Sequence, residues 1–295
     1  MSETTLRVAI VEPSGQPDMD CLDRNLAALR NSGIDPVHLP FNGNTRVRLG
    51  QPGIVSRSRQ LQDALDAHGL LLCARGGYGA ADLLDHLNWA SLSNQTPVLV
   101  IGFSDISALH CALYTHLGWS GLHGPMPGSP LWRIGGVDIE HLLDLVRSWP
   151  GNLEGRVPTT PVSTRPPNPL PTGVLFGGCM AVLTNLIGTD HFPNSLRGHI
   201  LFLEDVNETV PRLLRSWNQW RQAGVLEGVQ AIVLGDFRHH DQNELDWLDH
   251  WPELVADTTE IPVYRSSAFG HVSPNMPLMV GAQARIERDQ LIWHT

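Results

Sequence analysis

The sequence predicts an α/β protein of two domains: an N-terminal parallel sheet flanked by helices, of the flavodoxin or Rossmann kind, and a smaller C-terminal domain richer in strands. Three observations carry this. At 295 residues the chain is long enough for two domains of ~100 to 200 residues each. Short apolar runs alternate with helical patterns through the first half, which argues a parallel sheet covered on both faces. From Trp149 to Pro171 seven prolines interrupt all periodicity, so the expected organisation is 1–148, a linker at 149–171, and 172–295.

In order along the first half, strands are expected at Leu6 to Val11, Val37 to Leu39, Gly69 to Cys73 and Val98 to Ile101. Helices are expected near Cys21 to Ser32 and Ser58 to Ala67. In open sheets of this type ligands bind beyond the carboxyl ends of the strands. The second half offers strands at Gly173 to Phe176, His199 to Leu203, Ala231 to Leu234 and Leu278 to Val280, with a helix from about Pro211 to Ala223. Leu213, Leu214, Trp217 and Trp220 follow helical spacing there and are expected in the core.

Composition excludes several function classes. All twenty basic residues are Arg and none is Lys, so a phosphate-loop lysine, a Schiff-base lysine and a Ser-Lys dyad are ruled out. The net charge of −10 and the scattered arginines leave no basic footprint for nucleic acid. Cys21, Cys73, Cys111 and Cys179 are far apart and form no C-x-x-C pair; Cys73 and Cys111 lie in apolar stretches and are expected to be buried. The N-terminus lacks the charged-then-apolar pattern of a signal peptide, and no run approaches the ~18 apolar residues of a membrane span. A soluble, cytoplasmic protein with no membrane partner and no cofactor is expected.

The segment richest in chemistry is V-I-G-F-S-D-I, Val100 to Ile106, where an apolar run ends on a serine and an acid before the helical pattern A-L-H-C-A-L. Ser104 therefore stands at a strand-to-helix junction, beside the unpaired N–H groups of a helix start. Read alone, the segment is better explained by helix capping, a role Ser and Asp both favour. Glu204, directly after the apolar run Ile200 to Leu203, and His271, in the loop F-G-H-V-S-P-N, complete the order Ser, acid, His of one known triad topology. That order permits a triad without requiring one.

Seven motifs in sequence order settle the matter further: I-V-E-P-S-G from Ile10, A-R-G-G-Y-G from Ala74, I-G-F-S-D-I, L-F-G-G from Leu175, L-F-L-E-D-V, L-G-D-F from Leu234 and F-G-H from Phe269. With these the chain resembles the LD-carboxypeptidases, a family that includes muramoyltetrapeptide carboxypeptidases and the microcin C immunity peptidases. The resemblance implies Ser104 as nucleophile, Glu204 as the triad acid and His271 as base. It also implies a homodimer, and a murein-derived peptide as substrate, cut at the L,D bond before a C-terminal D-residue. The length is closer to the murein-recycling branch than to the microcin-immunity branch.

Two positions depart from the family pattern. Cys179 stands where G-G-N is usual, and Asn207 where a glycine usually follows L-E-D-V. Asn tolerates the left-handed region better than most residues, so that turn is expected to survive.

For the oxyanion the backbone N–H groups of Asp105 and of Gly77, in the R-G-G-Y-G loop, are the candidates, because absent Cβ atoms permit close approach. Read alone, R-G-G-Y-G also fits a tight turn. Arg75 fits either an ion pair within the fold or a clamp on a substrate carboxylate. Trp132, in G-P-M-P-G-S-P-L-W-R, fits best as an anchor of its loop and secondarily as a wall of the cleft. A metal-dependent hydrolase is the alternative raised by His239, His240, Asp241 and Glu244, although H-E-x-x-H is absent. A non-catalytic module holding a cell-wall peptide is a third reading, made weaker by retention of all three triad residue types.

Overall fold

The computed structural model describes residues 6–43, 45–133, 135–162 and 169–295. The first half runs β1 (Leu6–Val11), α1 (Met19–Asn31), β2 (Ile34–Leu39), α2 (Thr45–Leu49), α3 (Gln51–Ala67), β3 (Leu70–Cys73), α4 (Trp89–Leu92), β4 (Leu99–Gly102), α5 (Ser107–Leu117), β5 (Gly121–His123) and α6 (Val137–Ser148). The second half runs β6 (Glu154–Pro158), β7 (Thr160–Pro161), β8 (Thr172–Cys179), α7 (Met180–Thr184), β9 (His199–Val206), α8 (Val210–Gln222) and β10 (Ala231–Arg238). It closes with α9 (Gln242–Leu248), α10 (Trp251–Ala256), β11 (Val263–Arg265), β12 (Leu278–Val280), β13 (Gln283–Glu287) and β14 (Gln290–His294).

The strands form two sheets, in the orders β12-β5-β4-β3-β1-β2 and β6-β14-β13-β8-β9-β10-β11-β7. In the first, β2, β1, β3, β4 and β5 are mutually parallel. This is the 2-1-3-4-5 order of flavodoxin-like sheets, whose strand order reverses between β1 and β3 and opens a crevice there. L-L-L-C and L-V-I-G are buried at every position, because helices cover both faces and no alternation with polar residues is needed. The expected strands and helices of this half are all present. α3 starts earlier than expected, with Pro52 at its first turn, where a missing N–H costs nothing.

The Pro-rich stretch 149–171 is not simply a linker. Its described part supplies β6 and β7, which lie at the two opposite edges of the second sheet. Edge strands are where proline is tolerated, since one side of the strand needs no ladder partner. Residues 163–168 of that stretch lie outside the described residues.

Leu278–Val280 is the strand expected, in an unexpected sheet. β12 pairs antiparallel with β5, Leu278 opposite His123, and so closes the open edge of the first sheet. All three of its residues are fully buried. The C-terminal part of the chain thereby joins both sheets.

Of the four residues expected in the core of α8, Leu213, Trp217 and Trp220 are buried, and Leu214 is 38% exposed. The indole N–H groups of Trp217 and Trp220 donate to Thr258 and Thr184, both at 2.8 Å. All four cysteines are buried and free. Among the described residues no helix is long and apolar enough to cross a membrane.

Candidate active site

β4 ends at Gly102, Phe103 is extended, and Ser104 adopts φ +63° before one tight turn leads into α5. A non-glycine residue in the left-handed region costs roughly 1–2 kcal/mol, which persists only where the surroundings impose it. Here they do. A Cβ on Gly76 would stand 2.9 Å from Ser104 Cβ and 3.1 Å from its Oγ, so glycine at 76 leaves room for the Ser104 side chain. The serine is half-buried just past the carboxyl end of β4, against Gly76 of the loop that follows β3.

Glu204, near the carboxyl end of β9, has no exposed surface. Its Oε2 accepts from His271 Nδ1 at 2.7 Å, which fixes the tautomer and leaves Nε2 as the basic nitrogen. The His271 ring lies 4.9 Å, centroid to centroid, from Phe103, the residue before the serine. Cys179, beside Glu204 in the β8–β9 register, donates its N–H to Ser107 Oγ at 2.9 Å. The ring contact with Phe103 thus brings the His271–Glu204 pair close to the turn that carries Ser104. Among the described residues no hydrogen bond yet joins Ser104 to His271; such bonds commonly tighten only when substrate is bound.

The loop carrying His271 is anchored from the other half of the molecule. Gly270 N–H donates to Asn275 Oδ1 at 3.1 Å, and Asn275 N–H donates to Asp138 of α6 at 2.8 Å. Burial alone would lower the His271 pKa. The Glu204 charge and hydrogen bond outweigh it, and the net shift is upward.

The R-G-G-Y-G loop packs beside the serine. Gly76 C=O accepts from Gly15 N–H at 3.1 Å, so the trans peptide turns Gly77 N–H to the opposite side, away from Gly15. Arg75 is exposed and donates to Gln16 C=O at 2.8 Å, an attachment that holds it beside the same loop. Trp132 does not join the site. It is 5% exposed and packed among Leu29, Leu142 and Leu143, which fits the loop anchor favoured from the sequence over the cleft wall.

The His239–Glu244 cluster is occupied with local backbone. His239 Nδ1 accepts from Asp241 N–H, Asp241 caps α9 through Asn243 N–H, and Glu244 accepts from Val210 N–H, all at 2.9 Å. Among the described residues no three His, Cys, Asp or Glu side chains converge on a point where a metal ion would sit.

Residues 8–124 match the LD-carboxypeptidase N-terminal domain and residues 172–286 the LD-carboxypeptidase C-terminal domain. A murein tetrapeptide carboxypeptidase of Pseudomonas aeruginosa is 31% identical, over 97% of this chain and 95% of its own length. The chain belongs to the LD-carboxypeptidase family. It is a serine-type hydrolase. Solved structures share its fold: the muramoyltetrapeptide carboxypeptidase of Oxalobacter formigenes superposes with a TM-score of 0.79 at 24% identity, covering 98% of each chain. The microcin C7 self-immunity protein gives a TM-score of 0.80 at 21% identity, over 99% of this chain and 97% of that one.

Both departures of this LD-carboxypeptidase are accommodated. Asn207 adopts φ +60°, the conformation that made asparagine an acceptable stand-in for glycine. Cys179 is buried, with its Sγ 3.6 Å from Asp205 Oδ1, and burial raises its thiol pKa well above the ordinary value. Asp205 also accepts from Ala181 N–H at 2.8 Å and Val206 N–H at 2.9 Å. Burial, and then the charge of Glu204, push its pKa up to about 7.

A folded pKa above the unfolded value of about 3.9 means that stability is full below that value and is lost as pH rises through about 7. Asp205→Asn mimics the protonated form. Its thermal unfolding midpoint, relative to wild type, is expected to climb from pH 5 upward and level off above about 7; parallel pH profiles would refute the assignment. The constant offset between the two proteins reflects the lost acceptor oxygen, and the slope is the readout.

Proposed function

We propose that this protein cleaves the L,D peptide bond before the C-terminal D-alanine of murein tetrapeptide, in cytoplasmic peptidoglycan recycling, as a metal-independent homodimer. The observation that carries the reading is the left-handed Ser104 beside a His271–Glu204 pair at 2.7 Å. The relative named for murein tetrapeptide, 31% identical over nearly the whole chain, supports the substrate.

In this mechanism His271 Nε2 takes the Ser104 proton as Oγ attacks the scissile carbonyl. Glu204 holds the imidazole in the reactive tautomer and stabilises its cation. The N–H groups of Gly77 and Asp105 receive the oxyanion. His271 then protonates the departing D-alanine amine, and water activated by the same nitrogen releases the acyl group. Arg75 is the candidate partner for the substrate's terminal carboxylate.

The test is D-alanine release from murein tetrapeptide, followed by mass spectrometry with chelator present. Release is expected to proceed undiminished. Loss of release in chelator would restore the metal reading. A protein that cut only aminoacyl sulfamoyl nucleotides would instead belong functionally with the microcin C7 immunity protein, whose fold it shares.

A further inference from the structure

The segments after β1 and β3, Glu12–Gly15 and Gly76–Ala80, flank the crevice at the switch point of the first sheet. Neither is regular structure, so their backbone groups need partners from elsewhere. Two buried arginines supply several. Arg48 Nη1 donates to the carbonyls of Glu12 at 3.1 Å and Ser14 at 2.6 Å, while Nη2 meets the Glu12 carboxylate. Arg57 Nη1 donates to Pro13 C=O at 2.7 Å and Gly79 C=O at 3.1 Å, and its Nη2 to Arg48 C=O at 3.1 Å. A Cβ on Gly79 would come within 2.9 Å of Arg57 Nη1, so the loop is shaped to receive this guanidinium.

The nucleophile's neighbour closes the frame. Asp105 Oδ2 accepts both Ser14 Oγ–H at 2.6 Å and Ala80 N–H at 2.9 Å, and Ser14 is fully buried. One carboxylate oxygen thus ties the serine elbow to both loops. The Gly15 N–H bond to Gly76 C=O adds a fourth link, made by the same peptide unit that carries the Gly77 N–H.

We infer that Ser14 and Arg57, acting through the Asp105 carboxylate and the Gly76–Ala80 loop, are positioning residues that set the separation of the Gly77 and Asp105 N–H donors. This rests on the proposed reading of those N–H groups as the oxyanion site. Burying two guanidiniums side by side is costly, and burial together with the Arg48 charge pulls the Arg57 pKa down. A frame built at that cost defines geometry more than it adds stability. Its effect should fall on the tetrahedral state, where donors must sit at ~2.7–3.1 Å from the oxyanion, and leave substrate affinity alone.

The experiment compares wild type, Ser14→Ala, Arg57→Lys and Ser104→Ala in kcat and KM for murein tetrapeptide. It also measures affinity for a phosphonate analogue of the scissile bond and for the tripeptide product. Ser14→Ala and Arg57→Lys are expected to lower kcat by roughly 10- to 100-fold, up to the loss of one donor. Phosphonate affinity should fall in parallel, with KM and tripeptide affinity within about twofold. Unfolding curves confirm that each variant is folded, and Ser14→Ala alone decides if Arg57→Lys is not.

Wild-type kcat in folded Ser14→Ala, or lost kcat with phosphonate affinity intact, overturns the frame while the site reading stands. Wild-type turnover by Ser104→Ala overturns the site reading and the frame with it.

Discussion

Ser104→Ala is expected to lower kcat for D-alanine release by about 10⁶-fold, the scale seen when the nucleophile of a serine triad is removed, with KM little changed. The substitution deletes one oxygen and keeps the Cβ against Gly76, so the cleft retains its shape. Single-turnover mixing should show D-alanine leaving no later than the tripeptide in wild type, and neither product from the variant. A residual rate within tenfold of wild type would remove Ser104 from the chemistry.

The same position tests whether strain is stored at the elbow. Ser104 holds φ +63°, a region that glycine occupies without steric cost. Ser104→Gly is therefore expected to be equally inactive yet more stable, by up to about 1 kcal/mol after the entropy glycine loses on folding. Denaturant unfolding measures it. A destabilised Ser104→Gly would mean that the turn is relaxed and that the serine side chain contributes packing instead.

Much of this site was legible because its residues end apolar strands. Val8 to Val11, Leu70 to Cys73, Leu99 to Ile101 and Ile200 to Leu203 are continuous runs buried on both faces, and Ser104 and Glu204 sit at or near their carboxyl ends. Strands without such runs escaped. β6 and β7 are edge strands broken by proline, while β13 and β14 are short and pair antiparallel at the margin of the second sheet. Leu278–Val280 read correctly as a strand, but only the open edge of β5 decides which sheet it joins.

Ser14 and Arg57 were hidden for a different reason. Their partners are backbone carbonyls and a carboxylate 9 to 91 residues away. No spacing rule marks a contact of that kind. I-V-E-P-S-G was visible as a motif, yet nothing in it says that the serine faces Asp105. For Trp132 the sequence left two readings, a loop anchor first and a cleft wall second, and its burial against the apolar faces of α1 and α6 matches the first.

Glu204→Gln is expected to lower kcat about 10⁴-fold near neutral pH, because an amide no longer enforces the reactive tautomer of the base. The pH profile distinguishes this from a general loss of structure. In wild type the His271 pKa lies above the ordinary 6.5, and the base must be neutral. The acid limb of kcat/KM should therefore have its midpoint above 6.5. Removing the anion leaves burial in control, so the limb of the variant should shift below it.

Stability follows with its own sign. The raised His271 pKa contributes stability that is full below about 6.5 and lost as pH rises through the folded value. Asp205 acts in the same direction, its contribution being lost as pH rises through about 7, and its shift depends partly on the Glu204 charge. Glu204→Gln should flatten both slopes, whereas Asp205→Asn removes its own titration and spares the Glu204–His271 contact. An acid limb unmoved in Glu204→Gln would show that His271 draws its basicity from elsewhere, and Glu204 would lose its place as the orienting acid.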